Sequence, residues 1–217
     1  MRKTNKLPAV VMSVVVALAL LTGSIAAPII IRPFYYAQIE PLGIEAASGL
    51  SREKIIEAYD EVLDYCVGIS DEFSAGVLPL SESGSSHFAD CRTLFVLDLR
   101  LFFGSVVVVA LLMLYGRHHR IPRLRGHGAP FWGAVGIGAA LILVGAAAAI
   151  DFDRAFEIFH TLFFPGADNW LFDPAKDPII LLMPEAFFRN CAILILAVLL
   201  IAAAVIIILD KRKGYAR

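Results

Sequence analysis

The chain has 217 residues, of which 59% are apolar and only 18% charged, and its mean hydropathy is +0.74. Soluble domains carry nearer half apolar and about a quarter charged residues, so this composition excludes an ordinary soluble protein. With 16 Gly, 11 Pro and 3 Cys it is not fibrous, disordered or disulfide-dense, and a net charge of −1 offers nothing to nucleic acid. The apolar residues come in blocks, which marks an integral membrane protein.

Four blocks are long enough to cross a hydrocarbon core as helices, which takes about 20 residues each. They are 7–31, 93–115, 129–150 and 190–209. The first has two readings. Arg2, Lys3 and Lys6 before an apolar run ending at Ser24-Ile25-Ala26 resemble a cleavable signal peptide. The apolar run continues through Ile31, however, and Pro28 follows the candidate cut closely, which favours a retained helix. Inside the second block only Asp98 and Arg100 carry charge, and a local pair at the interface is their simplest reading. The third block, with Ala134/Gly138 and Gly145/Ala149 four apart, is built for close helix packing. Phe131 and Trp132 stand where an interfacial anchor belongs.

Charge assigns the connections. Residues 1–6, the 116–128 loop and the 210–217 tail together hold eleven Lys and Arg against one acid, Asp210. Segments 32–92 and 151–188 hold six basic and eighteen acidic residues. Basic loops stay in the cytoplasm, so both termini are expected inside and both long segments outside. The expected fold is an all-α, four-helix transmembrane bundle with a small extracytoplasmic cap built from 32–92 and 151–188/189.

In the first outer segment, Ser51 is a candidate N-cap for an amphipathic helix over 51–65. Ile55, Ile56, Tyr59, Val62, Leu63 and Cys66 form its apolar face. Residues 67–86 read as a loop or short hairpin, leading into Ser85-Ser86-His87-Phe88-Ala89-Asp90-Cys91-Arg92. In the second, Ala155–Phe164 places Phe156, Phe159, His160, Phe163 and Phe164 on one helical face. Beyond it, closely spaced prolines and acids at Pro165, Asp168, Asp173-Pro174, Asp177-Pro178 and Pro184 predict a folded loop. Nine aromatic residues between Phe152 and Phe188 suggest that it lies over lipid.

Five histidines need reading. His118, His119 and His127 sit in the basic loop, where headgroup contact is the plain reading. His87 and His160 each adjoin a membrane helix on the same face, near carboxylates, and apolar surroundings would hold them neutral. His87, Asp90, His160 and Asp168 could also serve zinc, though no HExxH or comparable local pair is present. Cys66 and Cys91 are either a structural bridge or two free thiols; no CxxC supports thiol exchange, and no G-x-S-x-G supports a serine hydrolase.

The runs HFADCR (His87–Arg92), FHTLFF, DNWLFDPAKD and LLMPEAFF, in this order and spacing, resemble the Lit family of bacterial lipoprotein intramolecular transacylases. The resemblance covers nearly the whole chain, with Cys91 standing where an aliphatic residue is expected. It implies an acyltransferase in the bacterial cell membrane, acting among phospholipids on a diacylated lipoprotein N-terminus. The sn-2 acyl chain of S-diacylglyceryl-Cys would move to the α-amine of the same cysteine, giving a lyso-form lipoprotein. His87 and His160 take the positions of the family's functional histidines. Asp90, Arg92, Asp168 and Asp177 are supporting candidates. Ester to amide is downhill and intramolecular, so no nucleotide, metal or other cofactor is expected. A non-enzymatic membrane accessory protein and a metal-dependent outer-face hydrolase are the competing readings.

Overall fold

The computed structural model describes residues 5–215, with side chains through residue 212. Arg2, Lys3, Lys213 and Arg217, which enter the charge reading, lie outside the described residues or side chains. The fold is all-α. The helices are α1 (Leu7–Ile30), α2 (Arg32–Tyr36), α3 (Ile44–Ser48), α4 (Arg52–Cys66), α5 (Glu82–His118), α6 (Ala129–Ile150), α7 (Phe152–Phe163) and α8 (Glu185–Tyr215), with a 3₁₀ turn at Pro178–Leu181. Among the described residues the only β pairing is a bridge between Leu124 and His127. α1, α5, α6 and α8 are each long and apolar enough to cross a membrane.

The chain divides into two compact units. One comprises Met1–Ala26, Asp98–Ala146 and Leu194–Arg217 and holds most of the apolar spans. Its tightest approach is at Gly133, where an added Cβ would meet the Ser13 carbonyl oxygen at 2.3 Å. The Ser13 hydroxyl donates to the Ala129 carbonyl at 2.8 Å in the same place. The sequence pointed to Ala134/Gly138 and Gly145/Ala149 instead. Ala134 is fully buried and Gly145 packs on Leu196, but Ala149 is exposed and the backbone approach belongs to Gly133. Asp98 and Arg100 do not form the expected local pair. Two residues apart on a helix they face apart, and Asp98 leaves its buried Oδ2 without a hydrogen-bond partner.

The second unit comprises Ala27–Leu97 and Ala147–Ile193. Its core forms where α4 buries Ile55, Ala58, Tyr59, Val62, Leu63 and Cys66. Ala58 takes the buried place that the periodicity gave to Ile56, which is half-buried. Tyr35 of α2 stacks on Tyr59 at 3.7 Å between centroids, Phe187 closes edge-on at 5.2 Å, and the Tyr35 hydroxyl donates to the Leu182 carbonyl at 2.9 Å. Ile39, Ile44, Ile179 and Leu182 are fully buried around them. Such a core offsets the cost of ordering a stretch that is otherwise rich in Gly, Pro and acids. At the rim Arg32 pairs with Asp60 and Asp64, and the Tyr36 hydroxyl donates to Asp60 at 2.7 Å. Ser51 is the N-cap residue of α4, but its hydroxyl makes no capping bond to the backbone.

The largest departure concerns the approach to the second span. Residues 82–86 are the first turn of α5, not the end of a loop. At about 1.5 Å per residue the 37 residues of α5 reach about 55 Å, well beyond a hydrocarbon core of about 30 Å. Residues 82–92 are therefore helical, and they carry His87, Asp90, Cys91 and Arg92.

Candidate active site

Asp177 fastens the start of α5. Its Oδ1 accepts the Ser81 amide at 2.6 Å and its Oδ2 the Ser81 hydroxyl at 2.9 Å, while Ser81 Oγ accepts the Gly84 amide at 3.0 Å. The Ser81 amide is thereby satisfied by a carboxylate from 96 residues away, well matched to the positive end of the helix dipole, and the Gly84 amide by the Ser81 hydroxyl. Gly84 is required for this approach, since a Cβ there would stand 2.6 Å from Asp177 Oδ1. Asp177 is 5% exposed and serves the helix.

One and a half turns along α5, His87 points into an aromatic cluster. Phe164 lies 4.9 Å and Phe172 5.5 Å from its ring centroid. His160 of α7 enters the same cluster, held between Phe156 at 4.2 Å and Trp170, stacked at 4.5 Å. The two imidazoles lie 5.9 Å apart between centroids and are only 6% and 7% exposed.

Their hydrogen bonds differ. His160 Nδ1 is 2.8 Å from the Phe156 carbonyl oxygen, which can only accept, so Nδ1 carries the proton and Nε2 keeps the lone pair. Burial lowers the pKa of His160 below the ordinary histidine value, against the favourable pull of that carbonyl. His87 is lowered further, to about 4, by burial first and then by charge on His160, with Asn169 and Asp90 opposing. Its Nε2 lies 3.4 Å from the Cys91 thiol, and its buried Nδ1 has the Asn169 side-chain oxygen as its neighbour. Burial thus favours the neutral form of both rings.

The supporting candidates separate. Asp90 stands beside the pair and accepts from Asn169 Nδ2 at 3.0 Å. Arg92 turns away to Asp71 at 2.8 Å and the Ser70 carbonyl at 2.7 Å, lying over the Tyr65 ring. Asp168 is exposed, with only its backbone engaged, and Asp177 holds the helix start. The zinc set His87, Asp90, His160 and Asp168 does not assemble: among the described residues no three His, Cys, Asp or Glu converge on one point. Cys66 and Cys91 are both free thiols. Trp170 and Phe172 pack against the histidines and Asn169 bonds Asp90, whereas the sequence placed them only in the folded loop and assigned them no role in a site. Their only signal was membership of the DNWLF run between two turn-formers.

Residues 10–188 match the family described as lipoprotein intramolecular transacylase Lit. Among solved structures, the chain is similar to the membrane integral lipoprotein intramolecular transacylase Lit from Bacillus cereus, at 25% identity and a TM-score of 0.86, covering 97% of this chain and 95% of that one. Two variants of that protein, each with one histidine replaced, by arginine or by alanine, share the fold at 24% identity with TM-scores of 0.80 and 0.79. They cover 97% of this chain and 94% or 95% of theirs. Comparison with curated protein sequences gives no match. The match across most of the chain, on a multi-span all-α fold, places it: the chain belongs to the Lit family, and it is a bacterial membrane acyltransferase that shifts an acyl chain within the N-terminal cysteine of a lipoprotein.

Proposed function

We propose that His160 is the general base and His87 the proton donor or oxyanion partner for transfer of the sn-2 acyl chain of S-diacylglyceryl-cysteine to the α-amine of that cysteine. The observation that carries this is the buried pair, 5.9 Å apart, with His160 Nδ1 engaged by the Phe156 carbonyl. The α-amine has a pKa near roughly 7.7–8, so a neutral imidazole is base enough. As the amine nitrogen attacks the ester carbonyl carbon, a C–N bond forms, the carbonyl electrons move to oxygen, and one amine proton passes to His160 Nε2. When the tetrahedral intermediate collapses, the bond from carbon to the glyceryl oxygen breaks and that oxygen takes a proton. The balance is one ester and one amine converted to one amide and one alcohol, with no other reactant.

His87, with Nδ1 protonated, would give that N–H to the oxyanion or to the departing glyceryl oxygen. Aromatic walls exclude water, which favours aminolysis over hydrolysis. Both acyl chains remain within lipid while only the head of the molecule enters the site, and amine and ester arrive on one molecule already close. The lysine and arginine distribution supports cytoplasmic termini and a site on the extracytoplasmic face, where the ester bonds of a mature lipoprotein lie.

The test is tandem mass spectrometry of lipoprotein N-terminal peptides from cells that make only the diacyl form, with and without this gene. Parent masses are equal by intramolecular transfer, so fragments decide. An N-acyl fragment that appears with the wild type and vanishes with His160→Ala is expected. Unchanged fragments with folded protein present would overturn the proposal.

A further inference from the structure

The base of the proposed transfer has to carry a charge that no ion answers. While the amine proton rests on His160, the ring is an imidazolium at a position only 7% exposed. In a Ser-His-Asp triad a carboxylate stabilises that ion. Among the described residues, the rings that face His160 are His87 of α5, Phe156 and Phe159 of α7, Phe164 and Trp170. Of these only His87 titrates, and burial keeps it neutral down to about 4. Asp90 stands beside His87 and is engaged by Asn169, while Arg154 and Glu157 pair with each other on the exposed side of α7.

An unpaired ion in such a place is costly unless dipoles or π faces compensate it. One dipole is the Phe156 carbonyl, which accepts from Nδ1 at 2.8 Å. The other partner is Trp170. Its ring lies 4.5 Å from the imidazole between centroids, with 27° between the planes, so His160 rests on an indole face. The face of an aromatic ring is the negative side of its quadrupole, and indole is the best natural ring for a cation within about 6 Å. This indole is also held in place. Its Nε1 donates to the Ala167 carbonyl at 3.2 Å, and the turn that returns the chain to His160 passes through Gly166 at a φ of 77°. An aliphatic wall would exclude water equally well and leave the ion bare.

We propose that Trp170 is a positioning residue acting through His160: its indole face receives the positive charge that His160 acquires on taking the amine proton, in the role that a carboxylate plays in a triad. The inference rests on His160 as the base. A π face suits this base better than a carboxylate would. A carboxylate favours the imidazolium strongly enough to hold the proton before the amine arrives, whereas the weaker π contact leaves a buried ring neutral until the transfer.

Fluorinated tryptophans test this at nearly constant shape, because each fluorine weakens the negative face of the ring. Trp132 is the only other tryptophan, so full-length Trp132→Phe protein carries the analogue at Trp170 alone. In detergent micelles, isotope-labelled His160 is titrated by NMR, its signal assigned by its loss in His160→Gln. The single-turnover rate is read on the same samples with a diacylglyceryl-cysteinyl lipopeptide. From tryptophan through monofluoro to trifluoro analogues, the pKa of His160 should fall stepwise by about 0.5–1 pH unit in all. The rate should fall with it by about 3–10-fold, and the limb of the pH profile that belongs to His160 should move to lower pH.

A His160 pKa that ignored fluorination would overturn the proposal, since a residue that merely packs responds to shape alone. Failure of the underlying reading looks different. There the pKa would follow fluorination while the rate did not, and a folded His160→Ala would keep its rate. The π contact would then stand, but as no part of the transfer, and the proposal would fall with the base.

Discussion

Two histidine clusters in this molecule are built to opposite specifications. In the spanning unit, His127 Nδ1 meets Asp210 Oδ2 at 2.8 Å, its ring stacks on Phe131 at 3.9 Å, and Asp210 also accepts the Gly128 amide at 2.9 Å and approaches Arg123. Trp132 Nε1 donates to the Leu124 carbonyl alongside. Asp210 is saturated with donors, and a third of the His127 side chain is exposed. In the second unit, His87 and His160 are buried among aromatic rings, and neither meets a carboxylate directly. The first cluster joins a loop to a helix end. The second holds neutral rings away from any carboxylate, as the proposed acid–base pair requires.

If that contrast is right, substitution should separate the clusters sharply. The largest effects belong to His160→Ala and His87→Ala, each expected to slow transfer by about 10²–10⁴-fold in purified, folded protein. Next comes the helix clamp. Asp177→Ala leaves the Ser81 amide without its acceptor and should cost about 1–3 kcal/mol of stability, read as a lower denaturation midpoint. Gly84→Ala should destabilise in the same way, because its Cβ would drive Asp177 off the helix start. His127→Gln and Asp210→Asn form the opposite arm. They should lower stability by about 1 kcal/mol and leave the acyl-transfer rate within about twofold, and a large loss of rate from either would break the comparison. The smallest effect concerns the thiols. Burial pushes Cys66 up to about 12 and raises Cys91 also, so neither should be alkylated appreciably at neutral pH in the folded protein.

How much of this was legible follows physical lines. Long apolar runs are strong signals because nothing in a span competes with the hydrocarbon requirement, and α1, α5, α6 and α8 could be read directly. The face of α4 was readable from periodicity with one exchange, Ala58 for Ile56, since a small residue carries little hydropathic signal. The start of α5 was not readable. Ser and Gly at 83–86 favour turns, and only the Asp177 carboxylate, far along the chain, makes that stretch helical. His87 and His160 were accessible through their motifs and their positions beside spans. Asn169 was hidden, because a loop asparagine reads as a turn-former until its amide is seen oriented by Asp90.

The neutral imidazoles also leave a mark on stability. The folded protein keeps His87 uncharged down to about pH 4, whereas the unfolded chain takes up that proton near the ordinary value of 6.5. Between those values the unfolded state binds more protons, so stability falls as pH drops through that window and is fully retained above it. His87→Gln should flatten that part of the profile.

The most direct test of the account is the pH dependence of the single-turnover rate with a diacyl lipopeptide, for wild type and His160→Ala. Below about 7.7 protonation of the α-amine imposes a slope of one on the log-rate profile. His160, with its pKa held below the ordinary 6.5, should add a second unit of slope at lower pH, and His160→Ala should follow slope one throughout at a much lower rate. A second limb that persisted unchanged in His160→Ala would contradict the assignment of His160 as the base.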